Sequence, residues 1–299
     1  VPAELPVPAE AQPRALLLDA ADGTQTVVAI PDDVAEEQVA GLDGRPLRRL
    51  KVPLPPLAPG VHRIADEDGR ISCRLVVAPQ RCHEPAVLAG RRGVGVAAHL
   101  YALRRTGDAG IGDFTALGRL AVTAARAGAV TLGVNPLHAL FPSDRRRTSP
   151  YSPSDRRFLD PVYLDLAAVP DAPPVAVRDD DRWVDYAGVW AAKQAALEAA
   201  FAAFRRRPVD DLLVAERARF IAAGGEALRR FAVFEAIAEE HPGVPWWEWP
   251  EGLREPTSAA TAAFAAAHAD RIAFHLHLQW LADRQLAAAA AVGRAAGLS

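Results

Sequence analysis

Positions 135 to 154 gather side chains able to hold a polar ligand. Asn135-Pro136-Leu137-His138 follows a short apolar run, and Ser149-Pro150-Tyr151-Ser152-Pro153 places one phenol and two hydroxyls on a proline-stiffened turn. A phenol offers an apolar face and a hydrogen-bonding edge, so this grouping suits an open, hydroxyl-rich ligand such as a glycan. A tyrosine that merely stiffens a turn would have the same composition, and both readings stay open. His99 and His138 each lie near the C-terminal end of a predicted strand, the catalytic face of a β/α barrel. Trp246, Trp247 and Trp249 fall in the proline-bounded stretch 242–256, where they either stack on sugar rings or anchor an irregular segment.

Other chemistries find weaker support. His275 and His277 look like a metal pair, but residues two apart on a helix do not face each other. Packed or capping histidines are the expectation, and no metal site is expected. Gly107, Gly110 and Gly112 sit between a strand and a helix, where a phosphate cradle is conceivable. The loop reads G-x-x-G-x-G, not G-x-G-x-x-G, and no Lys-Ser/Thr follows. A tight turn is the plainer reading, with a phosphosugar-binding barrel as its rival. Cys73 and Cys82 are the only cysteines, too few for a disulfide framework, and are expected as reduced core thiols.

The elements that must position these residues change character near Glu84. Before it, 15–19, 26–30, 47–54, 61–64 and 71–78 read as short strands punctuated by Asp22-Gly23, Pro59-Gly60 and Asp68-Gly69. After it, 93–103 reads as a strand and Asp113 as the cap of a helix to about Ala127 that Gly128 stops. A second buried strand spans 130–134, giving one βαβ unit and a parallel pair. A long loop, 137–161, follows, then helices over 190–205 and 214–240 and a long helix or helix pair over 258–296. Phe274, Leu278, Leu281 and Gln285 share one face of the last, with Ile272 and Leu276 on another, so burial is expected there.

With the elements placed, the motifs look familiar together. Gly110-Ile111-Gly112-Asp113-Phe114, Asn135-Pro136-Leu137-His138-Ala139-Leu140-Phe141-Pro142 and Ser149-Pro150-Tyr151-Ser152-Pro153-Ser154 resemble the bacterial 4-alpha-glucanotransferases (amylomaltases, or disproportionating enzymes) in order and spacing. Gln279-Trp280-Leu281-Ala282-Asp283-Arg284-Gln285-Leu286 is similar to a helical motif of that family. The likeness runs from about Glu84 to Ser299, and 54–82 looks like the accessory β domain of longer members.

The resemblance implies an α/β fold. A small N-terminal β-sandwich over 1–85 would precede the first part of a (β/α)8 TIM barrel over 86–299, with a helical insertion at about 171–257. It implies retaining transfer of α-1,4-glucan segments between maltooligosaccharides, without cofactor or metal. The ligand would be a maltooligosaccharide or a glycogen-derived α-1,4-glucan. Ser149 and Tyr151 correspond to residues lining the donor sugar site, and Asn135 and His138 match the neighbouring strand-end loop. The family's nucleophile, acid/base and third carboxylate fall after the Gln279–Leu286 motif. No catalytic residue is therefore expected here, and the 299-residue chain is expected to be inactive alone. Asp113 is expected as a helix cap and Asp283 as an ion-pair partner within its helix. A non-catalytic glucan-binding or scaffold protein is the alternative.

Composition agrees with a folded chain of about two domains: half the residues are hydrophobic and 24% are charged. A net charge of −3 gives no reason to expect a nucleic-acid partner, and no apolar run reaches the ~18 residues of a membrane span. The proline-rich, acidic start lacks the features of a signal peptide, so a cytoplasmic protein is expected.

Overall fold

The computed structural model describes residues 3–41, 44–69, 71–90, 92–175 and 183–298. The chain divides into two units, Val1–Glu84 and Pro85–Ser299. The first is all β: β1 (Ala3–Pro8), β2 (Ala15–Asp19), β3 (Gln25–Ala29), β4 (Glu36–Ala40), β5 (Pro46–Val52), β6 (Gly60–Asp66) and β7 (Ser72–Val77). They form two antiparallel sheets of order β1-β5-β4 and β3-β2-β6-β7. Leu5, Val7, Leu50 and Val52 from one sheet and Leu16, Leu18, Val28 and Ile64 from the other form a single core.

Sequence patterning misses β1 and β4 for identifiable reasons. Pro6 and Pro8 sit in β1, which is an edge strand where a missing N–H is tolerated. β4 is the opposite edge, exposed at nearly every position, so Glu36-Glu37-Gln38 carries no alternation. The cysteines also depart from expectation. Both are free and exposed, Cys73 on the edge strand β7, so neither is a core thiol.

The second unit begins with β8 (Gly95–Ala98), α1 (Phe114–Arg126) and β9 (Thr131–Val134). β8 and β9 pair in parallel, Gly95 opposite Thr131 through Ala98 opposite Val134. The expected strand over 93–103 is shorter than its apolar run, because a 3-10 turn at Leu100–Ala102 bends the chain directly after β8. α1 starts where Asp113 accepts a hydrogen bond from the Ala116 N–H, and Gly128 leaves it at φ 91°. The stretch expected as one long loop contains a bulged hairpin, β10 (His138–Ala139) with β11 (Asp155–Leu159).

Helices α2 (Tyr186–Phe204), α3 (Leu212–Glu240), α4 (Glu251–Arg254), α5 (Ala259–Ala267) and α6 (Ala269–Ala295) complete the unit. α3 is broken at Gly225, whose φ of 55° leaves helical geometry. Phe114 and Leu117 of α1, Leu197 and Phe201 of α2, and Phe274, Leu278 and Trp280 of α6 share the main core. α6 is not buried all round: burial is continuous from His277 to Ala282, while Asp283 and Arg284 face solvent. No helix among the described residues is long and apolar enough to cross a membrane.

Candidate functional site

Parallel sheets present ligand sites at the carboxyl ends of their strands, where loops converge. Here those ends are His99 and Asn135. Asn135 is buried: its Oδ1 accepts from the Leu100 N–H at 2.6 Å, and its Nδ2 donates to the Pro136 carbonyl at 2.8 Å. The side chain thus ties the turn after β8 to the turn after β9. His99 is exposed and stacks on Tyr101 at 5.1 Å. Gly112 closes in from the other side, where an added Cβ would fall 1.9 Å from the Leu100 carbonyl oxygen.

The glycine loop is a tight turn built around a buried acid. Gly107 and Gly110 take positive φ, and Asp108 accepts from Arg104, the Arg105 N–H and the Gly110 N–H. The Arg105 and Gly110 N–H groups are already held by Asp108, which favours the tight turn over a phosphate cradle.

Beyond β9 the chain makes an excursion whose base is pinned. His138 pairs with Leu159 across the hairpin, Asp160 N–H donates to the Leu137 carbonyl at 3.0 Å, and Ser154 donates to the Ala139 carbonyl from both N–H and Oγ. At the tip, Ser152 N–H donates to the Ser149 carbonyl at 3.1 Å. This closes a four-residue turn with Pro150 at the position where its fixed φ is favourable. Tyr151 is thereby held outward, 64% exposed, beside an exposed Ser149. His138 is half-buried at the base, near Asp155. Ser149, Tyr151 and His138 belong to one excursion, while Asn135 turns into the framework below it.

Sequence reasoning misses the residues that fix this excursion. Arg145 lies across Asp160 with two bonds of 2.8 and 2.9 Å and packs over the Trp190 ring. Gln279 accepts from the Leu159 N–H at 3.0 Å and donates to the Leu159 carbonyl at 2.8 Å. Gln285 does the same to Asp165 at 2.8 and 2.9 Å. Between these clamps, the fully buried Lys193 donates to the Val162 and Leu164 carbonyls, both at 2.7 Å. Burial lowers its ammonium pKa to about 8, against the pull of Asp113 and Asp165. One signal was available, since Lys193 is one of only two lysines in an arginine-rich chain. A compact ammonium fits between two carbonyls where a planar guanidinium does not.

The stretch from His99 to Asp165 contains six acids, all aspartates, and each is paired with an arginine. Asp108 meets Arg104, Asp113 and Asp165 share Arg105, Asp144 meets Arg146, Asp155 meets Arg157 and Asp160 meets Arg145. Burial pushes the Asp108 and Asp155 carboxyls up, but their arginines and N–H donors outweigh it and hold both below the usual range. Asp113 also caps α1 as expected. Asp283 does not match expectation: it has no ion pair among the described residues, its neighbour Arg284 reaches Glu216 at 3.4 Å, and partial burial raises its carboxyl.

Of the remaining candidates, Trp249 and His277 are packed inside. Trp249 is buried against Phe234 and donates to the Val244 carbonyl, while Trp246 and Trp247 are about half exposed. His277 is buried among Phe201, Phe204 and Trp280, and burial drives its pKa down to about 3. His275 lies 3.3 Å from Glu239. No metal-holding cluster of acids, histidines and cysteines occurs among the described residues.

Comparison with known proteins covers both units. A family model for 4-alpha-glucanotransferase matches residues 98–299. The 4-alpha-glucanotransferase of Mycobacterium tuberculosis (strain H37Rv) is 37% identical over 294 residues, covering 86% of this chain and 38% of that protein. That of Haemophilus influenzae is 31% identical, covering 79% and 38%. Among solved structures, amylomaltase from Corynebacterium glutamicum superposes over all of this chain and 42% of its own, with a TM-score of 0.73 and 27% identity. Amylomaltase from Streptococcus agalactiae in complex with acarbose, at 20% identity and a TM-score of 0.55, shares the fold over 70% of the chain. The chain spans under two fifths of the length of these two sequence relatives. With the matched region running from the end of β8 through α6, the chain belongs to the 4-alpha-glucanotransferase family of glycoside hydrolases, family 77.

Proposed function

We propose that this chain supplies the sugar-gripping N-terminal part of a 4-alpha-glucanotransferase. Such an enzyme moves α-1,4-glucan segments between maltooligosaccharides, or from glycogen-derived glucan, in the cytoplasm. In this reading the two sheets of the first unit are the small accessory β-sandwich. β8-α1-β9 begins a (β/α)8 TIM barrel, and α2 to α4 belong to a helical insertion at about 171–257. Ser149 and Tyr151 line the donor sugar site, with His138 at its base and Asn135 holding the loop in register. The observation that carries the reading is the outward Tyr151 phenol on a proline-set turn, beyond the carboxyl end of a parallel strand.

Retaining transfer needs two carboxylates about 5 Å apart, one free to attack and one protonated to donate. The six aspartates around the strand ends are all neutralised by arginine, so none of them fits either role. Their task is to hold the walls of the site, and turnover requires acids from outside this set. Glycan C–H faces stacking on the phenol, with hydroxyls bridging to Ser149, would orient the donor sugar for those acids. Substituting Tyr151→Ala in the active enzyme is expected to lower kcat/KM tenfold or more, about 1.4 kcal/mol or above. An unchanged kcat/KM removes Tyr151 from the site. If the protein is a non-catalytic glucan binder, Tyr151→Ala weakens maltoheptaose binding and there is no turnover to lose.

A further inference from the structure

The ion pair between Arg145 and Asp160 closes the stretch of chain that carries Ser149 and Tyr151. Both partners are buried, and Trp190 of α2 covers one face of the guanidinium at 4.4 Å. The two Nη atoms go to Asp160. Arg145 Nε, also buried, has no hydrogen-bond partner among the described residues.

α3 faces this pair. Phe231 stacks on Phe158 of β11 at 4.3 Å. Glu235 lies one helical turn beyond Phe231 and shares its buried face, while Asp160 lies two residues beyond Phe158 in extended backbone. One helical turn and two residues of strand each cover about 6 Å, which brings Glu235 level with the ion pair. The charges acting on it agree. Burial pushes the Glu235 carboxyl well above its ordinary range; Arg145 opposes that most among the charges, and Asp160, Glu239 and Asp155 add to it. Glu235 is 2% exposed, and its Oε1 has no hydrogen-bond partner among the described residues. A buried donor and a buried acceptor therefore stand unpaired on facing elements. The other charged groups nearby are engaged elsewhere. Glu239 is held by Arg271 and His275 of α6, Asp155 by Arg157, and Lys193 of α2 by the Val162 and Leu164 carbonyls.

We propose that Glu235 is a positioning residue for the Tyr151 turn. As a neutral acid it leaves the Arg145 guanidinium to Asp160. On losing its proton to solvent it draws the Arg145 Nε–H towards α3, slackens the bonds to Asp160 and loosens the turn. This role rests on the glucan reading of that turn.

Calorimetric titration of the 299-residue chain with maltoheptaose between pH 5 and 10 tests it. The dissociation constant is expected to rise about tenfold across the ionisation of Glu235, the change that a one-unit shift of its pKa on binding requires. Binding in that range takes up protons, read from the heats in two buffers of different ionisation enthalpy. Glu235→Gln keeps the shape and the neutral form, so its affinity stays at the low-pH value throughout and the proton uptake disappears. Tyr151→Ala weakens binding at every pH. A flat profile in the unsubstituted chain, proton release in place of uptake, or a transition that survives in Glu235→Gln and so belongs to Lys193 or His138, overturns the role of Glu235 and leaves the Tyr151 reading intact. No binding of maltoheptaose, or no loss with Tyr151→Ala, overturns that reading and this role with it. The proton uptake needs no substitution and decides the matter even where Glu235→Gln does not fold.

Discussion

Two ionisable groups of the second unit, the buried Lys193 and the partly buried Glu239, tie its stability to pH in opposite ranges. Lys193 has a folded pKa of about 8 against an ordinary value near 10.5. Between those values the unfolded chain still binds the proton that the folded chain has released, so stability rises with pH across that window. Lys193→Met is expected to flatten the rise, as read by urea midpoints from pH 7.5 to 10.5; an unchanged slope would locate the alkaline response elsewhere. Glu239 runs the other way. Burial pushes its carboxyl up, but Arg271 and His275 outweigh that and bring it down to about 2. Its contribution is complete above the ordinary value of 4.5 and is lost as pH falls towards 2. Because Glu239 joins α3 to α6 through Arg271, Arg271→Ala is expected to shift acid unfolding to higher pH. Melting curves between pH 2 and 5 report it.

At the scale of elements, two glutamine clamps do what a neighbouring strand would do. Gln279 and Gln285 lie six positions apart on α6, and each satisfies both the N–H and the carbonyl of one residue on the 159–165 segment. Gln279→Leu leaves the Leu159 N–H and carbonyl unpaired, with a cost of about 2 kcal/mol or more. Faster hydrogen exchange at the Leu159 amide, with a lower urea midpoint, is the expected result. Exchange as slow as in the unsubstituted chain would show that the helix packing alone fixes β11. Sequence periodicity could not reveal this role. On the shared face of α6, Gln285 looked like the polar end of an apolar stripe, and Gln279 was only part of a motif likeness. What was legible was local. Asp113 as a cap, Gly128 as a stop and β8-α1-β9 as a parallel unit follow from residues within a few positions of each other. The clamps join residues 120 positions apart, and nothing in either segment names its partner.

At the scale of the whole chain, the same arginine pairing that builds the walls governs what the chain can do alone. Each acid near the strand ends has oxygens occupied by a guanidinium. In the proposed reading, acids whose oxygens are taken up in this way serve the walls of the site and not the transfer. In the proposed reading the Tyr151 turn grips the sugar through a face and hydroxyls set by Pro150 and the hairpin base, and not through these acids. On that reading, binding and turnover separate in this chain. Incubated with maltotriose, the 299-residue chain is expected to release no glucose and form no longer maltodextrins, while calorimetry still detects maltoheptaose. Glucose and maltopentaose appearing together would mean that one of these aspartates leaves its arginine when sugar binds. Arg145→Ala and Arg105→Ala would then locate it, because freeing the catalytic acid from its partner would change the rate, whereas freeing a wall residue would only loosen the fold.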